Sequence, residues 1–227
     1  MIEFPKRWPV ENPDILQLYS MATPNGQKVS IMLEEAGIPY EAHLVHIGQN
    51  HQFDEDYLKI NPNNKIPTII DPNGPGGERF ALMESGAILM YLADKSGQFL
   101  PKDETRRWET LQWLFFQMGH VGPMFGQFGH FYKFAADKTT DSYGVERYTK
   151  ETQRLLGVLD KRLEGREWIM GDELTIADMA IAPWVKCIDF YDGHETLGTD
   201  QFKNVMAYTQ RFYDRPLVQK GSKVCAP

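Results

Sequence analysis

The chain has 227 residues, 42% of them hydrophobic, and carries 24 Lys and Arg against 31 Asp and Glu for a formal net charge of −7. That length buries a real core as one large domain or, the better reading here, two small ones, and the acidic balance argues against a nucleic-acid partner, whose phosphates need a net basic face. No apolar run approaches the ~20 residues that span a bilayer, and Glu3, Pro5, Lys6, Arg7 and Pro9 stand where a signal core would be apolar, so a cytoplasmic protein without a membrane partner is expected.

Cysteine usage narrows the chemistry. Only Cys187 and Cys225 occur, both late in the chain, which excludes a disulfide framework and a Cys-x-x-Cys redox pair. The six histidines lack paired metal-ligand spacing with cysteines or acids, and no metal is expected.

In chain order, residues 1–12, with two prolines and mixed charge, read as an extension ahead of the first element. Ile15, Leu16 and Leu18 suggest a strand. Thr23-Pro24 supplies an N-cap with proline at the first helical position, and Val29, Ile31, Met32, Leu33 and Ala36 carry the helix to a stop at Gly37. Residues 40–47 give a second strand, 54–60 a short helix and 68–71 a third strand. The turn Pro72-Asn73-Gly74-Pro75-Gly76-Gly77 predicts a hairpin to a fourth, and residues 85–96 form a closing helix. The order β-α-β-α-β-β-α is thioredoxin-like: an α/β domain with a mixed four-stranded sheet over residues 13–96. A linker is expected over 97–104, then an all-helical C-terminal domain with a tail over 105–227. Val145, Tyr148, Thr152, Leu155, Leu156, Leu159 and Leu163 mark the inner face of one of its helices. Thr175-Ile176-Ala177-Asp178 is a capping box with Asp in the acidic position, so Asp178 is read as structural. Between Trp108 and Phe134, Gly119, Gly122, Gly126 and Gly129 recur at helical spacing around Pro123; a kink, close helix approach and a dimer face are expected, with Gln112 and Trp113 near that face.

Two segments carry a ligand signature. Ile66 precedes Pro67, which holds it extended and frees its backbone N–H and C=O to pair with an extended ligand. Glu84 and Ser85 end a β-like run and open a helix, whose unpaired N–H groups and positive dipole end favour a carboxylate. One anchor holds backbone and the other a charged end, as a peptide-like anion requires.

These anchors, in that order, resemble the glutathione site of glutathione transferases. Thr23-Pro24-Asn25-Gly26-Gln27-Lys28, Asn63-Asn64-Lys65-Ile66-Pro67, Glu84-Ser85-Gly86-Ala87-Ile88-Leu89, Gln112-Trp113-Leu114-Phe115, Gly122-Pro123-Met124, Glu146-Arg147-Tyr148 and Thr175-Ile176-Ala177-Asp178 extend the likeness over nearly the whole chain, to the bacterial nu-class group whose fungal relatives include a prion-forming nitrogen regulator. The resemblance implies a homodimer that uses glutathione as cosubstrate. Many transferases use a tyrosine or serine hydroxyl, and Tyr19 and Ser20 are near the relevant turn, but the match to this group puts Thr23 and Asn25 beside the sulfur. Glu84 and Ser85 would take the γ-glutamyl end, Ile66 the cysteinyl backbone beside a cis Pro67, and Lys65 and Gln52 the glycyl carboxylate. Arg147 matches a family position that contacts a second glutathione or the disulfide form; whether one or two bind per subunit stays open. Because the thioredoxin-like half has no thiol of its own, disulfide chemistry must borrow its sulfur from the bound thiol. The favoured function is glutathione-dependent disulfide-bond oxidoreduction on a small disulfide. The alternatives are a general transferase or peroxidase acting on small electrophiles or hydroperoxides, and a nonenzymatic glutathione-binding regulator. The fungal regulator carries a long Asn/Gln-rich arm, and the short mixed extension here favours the enzyme.

Overall fold

The computed structural model describes residues 2–138 and 140–227. Contacts divide the chain into two compact units, one holding the residues up to Gln98 together with Pro216–Pro227, the other Phe99–Arg215. This differs from the expected division at its end: the last twelve residues, read as the tail of the helical domain, pack in the first unit.

The first unit is built on β1 (Leu16–Ser20), α1 (Pro24–Ala36), β2 (Tyr40–Leu44), α2 (Glu55–Ile60), β3 (Thr68–Asp71), β4 (Phe80–Met83) and α3 (Ser85–Ser96). The sheet order is β2-β1-β3-β4, with β1 parallel to β2 and antiparallel to β3, and β3 antiparallel to β4. This is the thioredoxin-like order expected from the sequence. β1 is buried throughout because both faces of the sheet are covered. α1 packs against α3, and both bring fully buried side chains, Val29, Ile31, Met32 and Leu33 from one and Ile88, Leu89 and Leu92 from the other. A second cluster joins Tyr19, Ile70 and Val45 to Tyr57 and Ile60 of α2. Trp8, from the stretch read only as an extension, is part of that cluster and 8% exposed.

The terminal segment adds α10 (Pro216–Gly221) against α1. The fit is close: a Cβ at Gly221 would lie 2.7 Å from the Ile31 Cα, and the Ser30 hydroxyl donates to the Gly221 carbonyl at 2.8 Å. Glycine is what lets the two backbones meet.

The second unit contains α4 (Glu104–Phe116), α5 (Gly122–Gly129), α6 (Tyr143–Arg162), α7 (Ile176–Tyr191), α8 (His194–Leu197) and α9 (Lys203–Tyr213). From Glu104 to Phe134 the helix continues through π-helical turns at Gln117–Val121 and His130–Phe134 on either side of α5. Pro123 lies inside this continuous helix, two residues after the first π turn, so the wider turn falls where the proline removes an N–H from the helical ladder. Gly122 and Gly126 face the Trp184 ring of α7, and a side chain at Gly129 would run into Tyr191. These glycines do admit a neighbouring helix. Leu155, Leu156 and Leu159 of α6 are fully buried, as their spacing requires. The Thr175–Asp178 capping box forms; the buried Asp178 carboxylate accepts from the Ile169 and Thr175 N–H groups at 2.8 Å each.

Candidate functional site

Strand register brings the sequence motifs of the first unit together. Tyr19 of β1 pairs with Thr68 of β3, and Thr68 pairs with Met83 of β4, so the three form one row across the sheet. The chain leaves the β1 end of that row for Thr23 and α1, enters the β3 position from Ile66-Pro67, and leaves the β4 end through Glu84 into Ser85 and α3. Segments distant in sequence become neighbours because adjacent strands lie ~4.8 Å apart. Two spacings span roughly 10 Å, the length of about three extended residues.

At the β1 end, Thr23 is the N-cap of α1 and its hydroxyl oxygen accepts the Gly26 N–H at 3.3 Å, so its own O–H remains a donor. Asn25 lies in the first turn, half-buried. No acidic residue occupies that turn, and a Cβ at Gly26 would collide with the Met21 carbonyl. The position from which a capping-box carboxylate reaches back is therefore confined to glycine, and no acidic side chain of the first turn neutralises the positive helix end. Tyr19 is fully buried on the α2 side, stacked on His43 with ring centroids 4.6 Å apart. Burial also holds its hydroxyl protonated far above the ordinary range. Ser20 is buried and turns its hydroxyl to the Met21 carbonyl at 3.4 Å.

Cys225 approaches this loop, a proximity its place near the chain end did not suggest; its carbonyl accepts the Ala22 N–H at 3.1 Å. Burial pushes its thiol up to about 11, so at neutral pH it is a poor nucleophile.

At the β4 end, Glu84 has φ 71° and ψ 110° and precedes the first residue of α3. A non-glycine residue with that backbone carries strain of about 1–3 kcal/mol, which is found most often at ligand-binding turns. Ser85 is buried, and its hydroxyl oxygen accepts from the Lys28 ammonium at 3.2 Å. Lys28 was missed by sequence reasoning. It is fully buried, which lysine almost never is without a partner. Burial pulls it down to about 7, against the opposing pull of the Glu84 carboxylate. The available signal was a cation directly ahead of the apolar stretch Val29–Leu33. Through the Ser85 hydroxyl, Lys28 ties α1 to the start of α3.

At the centre, the Ile66-Pro67 peptide is cis, as the resemblance implied. The preceding Lys65 carbonyl accepts from the Tyr57 hydroxyl and the Asn61 amide, both at 2.6 Å, while the Lys65 side chain is exposed. Gln52 lies in the 3-10 turn His51–Phe53, and its buried Oε1 accepts no hydrogen bond among the described residues. Arg147 belongs to the second unit. It is exposed on α6 and lines a groove of about 500 Å³ with Met124, Tyr143, Lys150, Glu151 and Arg154.

A thioredoxin-like sheet with three anchors along one row, followed by an all-helical unit, defines a class of small-thiol-binding proteins. Residues 18–99 match the glutathione S-transferase N-terminal domain and residues 111–216 its C-terminal domain. The chain belongs to the glutathione S-transferase family, in its nu-class-like group. It is 45% identical over 217 residues to the disulfide-bond oxidoreductase YghU of Escherichia coli strain K12, covering 91% of this chain and 73% of that protein. A glutathione transferase family member from Pseudomonas fluorescens, crystallised with two glutathione bound, is 54% identical with a TM-score of 0.95 over 96% of this chain and 97% of that one. The glutathione transferase from Pseudomonas putida, with one glutathione disulfide bound per subunit, is 52% identical with a TM-score of 0.94 over 96% and 95%.

Proposed function

We propose that this protein is a glutathione-dependent disulfide-bond oxidoreductase. The observation that carries the reading is the row Tyr19–Thr68–Met83, whose three exits bear groups complementary to the γ-glutamyl end, the cysteinyl backbone and the sulfur of glutathione. Ser85 and the α3 N-terminus take the γ-glutamyl carboxylate, backed by Lys28, and the Glu84 carboxylate faces the ammonium. Ile66 exchanges backbone hydrogen bonds with the cysteinyl unit, and Gln52 and Lys65 take the glycyl carboxylate. The sulfur then lies at the α1 start, where Thr23, Asn25 and the helix N–H groups favour the thiolate.

The thiolate attacks one sulfur of a small disulfide, forming a glutathione mixed disulfide and expelling the other half as a thiolate, which takes up a proton. A second glutathione thiolate attacks the glutathionyl sulfur; glutathione disulfide forms and the remaining half leaves as a thiol. Two glutathiones are oxidised and one disulfide is reduced. The names of YghU and of the two Pseudomonas complexes, one with two glutathiones and one with glutathione disulfide, support this over simple conjugation. In this reading Arg147 binds a carboxylate of the second glutathione. A homodimer fits the exposed Trp108 and Phe115, seven residues apart on one face of α4 and 63% and 62% exposed. Among the described residues no helix is long and apolar enough to cross a membrane, and a cytoplasmic location is part of the proposal.

The test is Arg147→Met, assayed with a mixed disulfide and with a chlorinated aromatic electrophile. The ratio of disulfide to conjugation turnover falls, while calorimetric affinity for the first glutathione is unchanged, because only the second ligand loses its ionic partner. An unaltered ratio would put the general transferase ahead.

A further inference from the structure

Residues 2–9 are not used by the site described above, yet they are tied to it. The Trp8 indole N–H donates to the Leu44 carbonyl at 2.8 Å, and its ring meets Tyr19, Tyr57 and His51 edge-on at centroid distances of 5.8, 5.8 and 6.3 Å. Arg7 pairs with Asp54 at 2.9 Å, and the Lys6 N–H donates to Asp56 at 3.3 Å. Asp54 is the N-cap of α2. Further back, the Arg79 guanidinium lies 4.0 Å over the Phe4 ring and donates to the Ile2 carbonyl at 2.8 Å. The segment thus grips the stretch His51–Tyr57 at both ends. Its contacts lead to the two groups assigned to the glycyl carboxylate: His51 is the neighbour of Gln52, and the Tyr57 hydroxyl holds the Lys65 carbonyl at 2.6 Å.

We propose that Trp8 is a specificity-determining positioning residue that, by clamping the His51–Tyr57 stretch, fixes Gln52 and Lys65 for the glycyl end of glutathione. This rests on the glutathione reading above and adds a prediction that reading does not make. Long polar side chains bind a carboxylate well only when their backbone is already held in place, because ordering a loop on binding opposes affinity. The short 3-10 turn carrying Gln52 has few buried residues of its own, and Trp8 supplies the packing it lacks. The γ-glutamyl and sulfur anchors lie at the starts of α3 and α1, so loss of Trp8 falls on the glycyl end and on the Ile66 anchor that both thiols share, and the ratio of the two affinities isolates the glycyl part.

The experiment is calorimetric binding of glutathione and of γ-glutamylcysteine, which lacks the glycyl unit, to the unmodified protein and to the Trp8→Ala, Trp8→Phe, Arg7→Ala and Gln52→Ala variants. The unmodified protein prefers glutathione. Trp8→Ala loses about tenfold in glutathione affinity, the size of one charge-assisted hydrogen bond, and stays within about twofold for γ-glutamylcysteine. Trp8→Phe keeps the ring contacts and most of the preference. Arg7→Ala releases the Asp54 end without opening the core and shifts the preference in the same direction by less, which preserves the test if Trp8→Ala folds poorly. Equal losses for both thiols, or none for either, overturn the proposal. If Gln52→Ala abolishes the preference and the Trp8 and Arg7 variants keep it, the glycyl assignment stands and the clamp falls. If the unmodified protein shows no preference, both fall together.

Discussion

Two helices of this protein begin with a threonine cap, and they begin in opposite ways. At α7, Thr175 is buried and the carboxylate three residues on reaches back to it, so the helix start satisfies its own donors inside the protein. At α1, Thr23 is only half-buried, the equivalent position is Gly26, and the first turn carries no acid. The buried ionisable group nearest each start also differs in sign. α7 has Asp178, pushed up to about 6 by burial, and α1 has Lys28, pulled down to about 7. A cap closed by its own acid is scaffold, and a cap left open above a buried cation is suited to an anion from outside.

The largest effect that tests this contrast is Asp178→Ala. It orphans the Ile169 and Thr175 N–H groups, and at about 1–3 kcal/mol for each buried donor the second unit loses about 2–6 kcal/mol in denaturant unfolding. Glutathione affinity measured where the variant is folded does not change. A loss under about 1 kcal/mol would mean that the box is ornamental.

Thr23→Ala at the open start of α1, and Ser85→Ala at the start of α3, should instead act on the ligand. Ser85→Ala weakens glutathione binding by about 1–3 kcal/mol and also lowers the melting temperature, since the hydroxyl that serves the charged ligand accepts from buried Lys28 as well. Thr23→Ala costs about 1 kcal/mol of stability through the cap and, like Asn25→Ala, lowers turnover on the order of tenfold for every electrophile, because each removes a donor to the thiolate. Unchanged turnover in both would leave Thr23 as a cap alone.

The buried cation has its own pH signature. Lys28 has a folded value near 7 and an ordinary value of 10.5, so between them the unfolded chain binds more protons and stability rises with pH across that window. In Lys28→Met that rise disappears from the melting-temperature profile; its persistence would assign it to another group. The smallest expected effect is that of Cys187→Ser with Cys225→Ser. Both thiols are held protonated by burial, so the double variant keeps disulfide turnover within about twofold. Loss of turnover in a folded double variant would put a protein thiol back into the mechanism, with Cys225, beside the Ala22 loop, the first suspect.

Local rules were enough for much of the protein. The α1 boundaries follow from Thr23-Pro24 at one end and Gly37, with φ 65°, at the other, and α3 spans Ser85–Ser96 as read. The capping box of α7 and the buried face of α6 are set by residues a few positions apart, and the likeness to glutathione transferases rests on short contiguous motifs. Other features depend on long-range contacts that no local pattern encodes. The row Tyr19–Thr68–Met83 exists only once strand register is fixed, and that row is what turns three motifs into one site. Lys28 reads as an ordinary helical lysine until α3 folds over it, and Tyr19 reads as a candidate hydroxyl until the pleat turns it toward Tyr57 and Trp8. Residues 2–9 and 216–227, which look like loose ends in the sequence, are packed elements because burying Trp8 and seating Gly221 on Ile31 requires partners far along the chain. The sequence by itself determined where each helix and strand starts and which chemistry its ends offer, since those depend on nearest neighbours. Only the tertiary structure decided which ends meet, because packing and register join residues whose separation along the chain leaves no local trace.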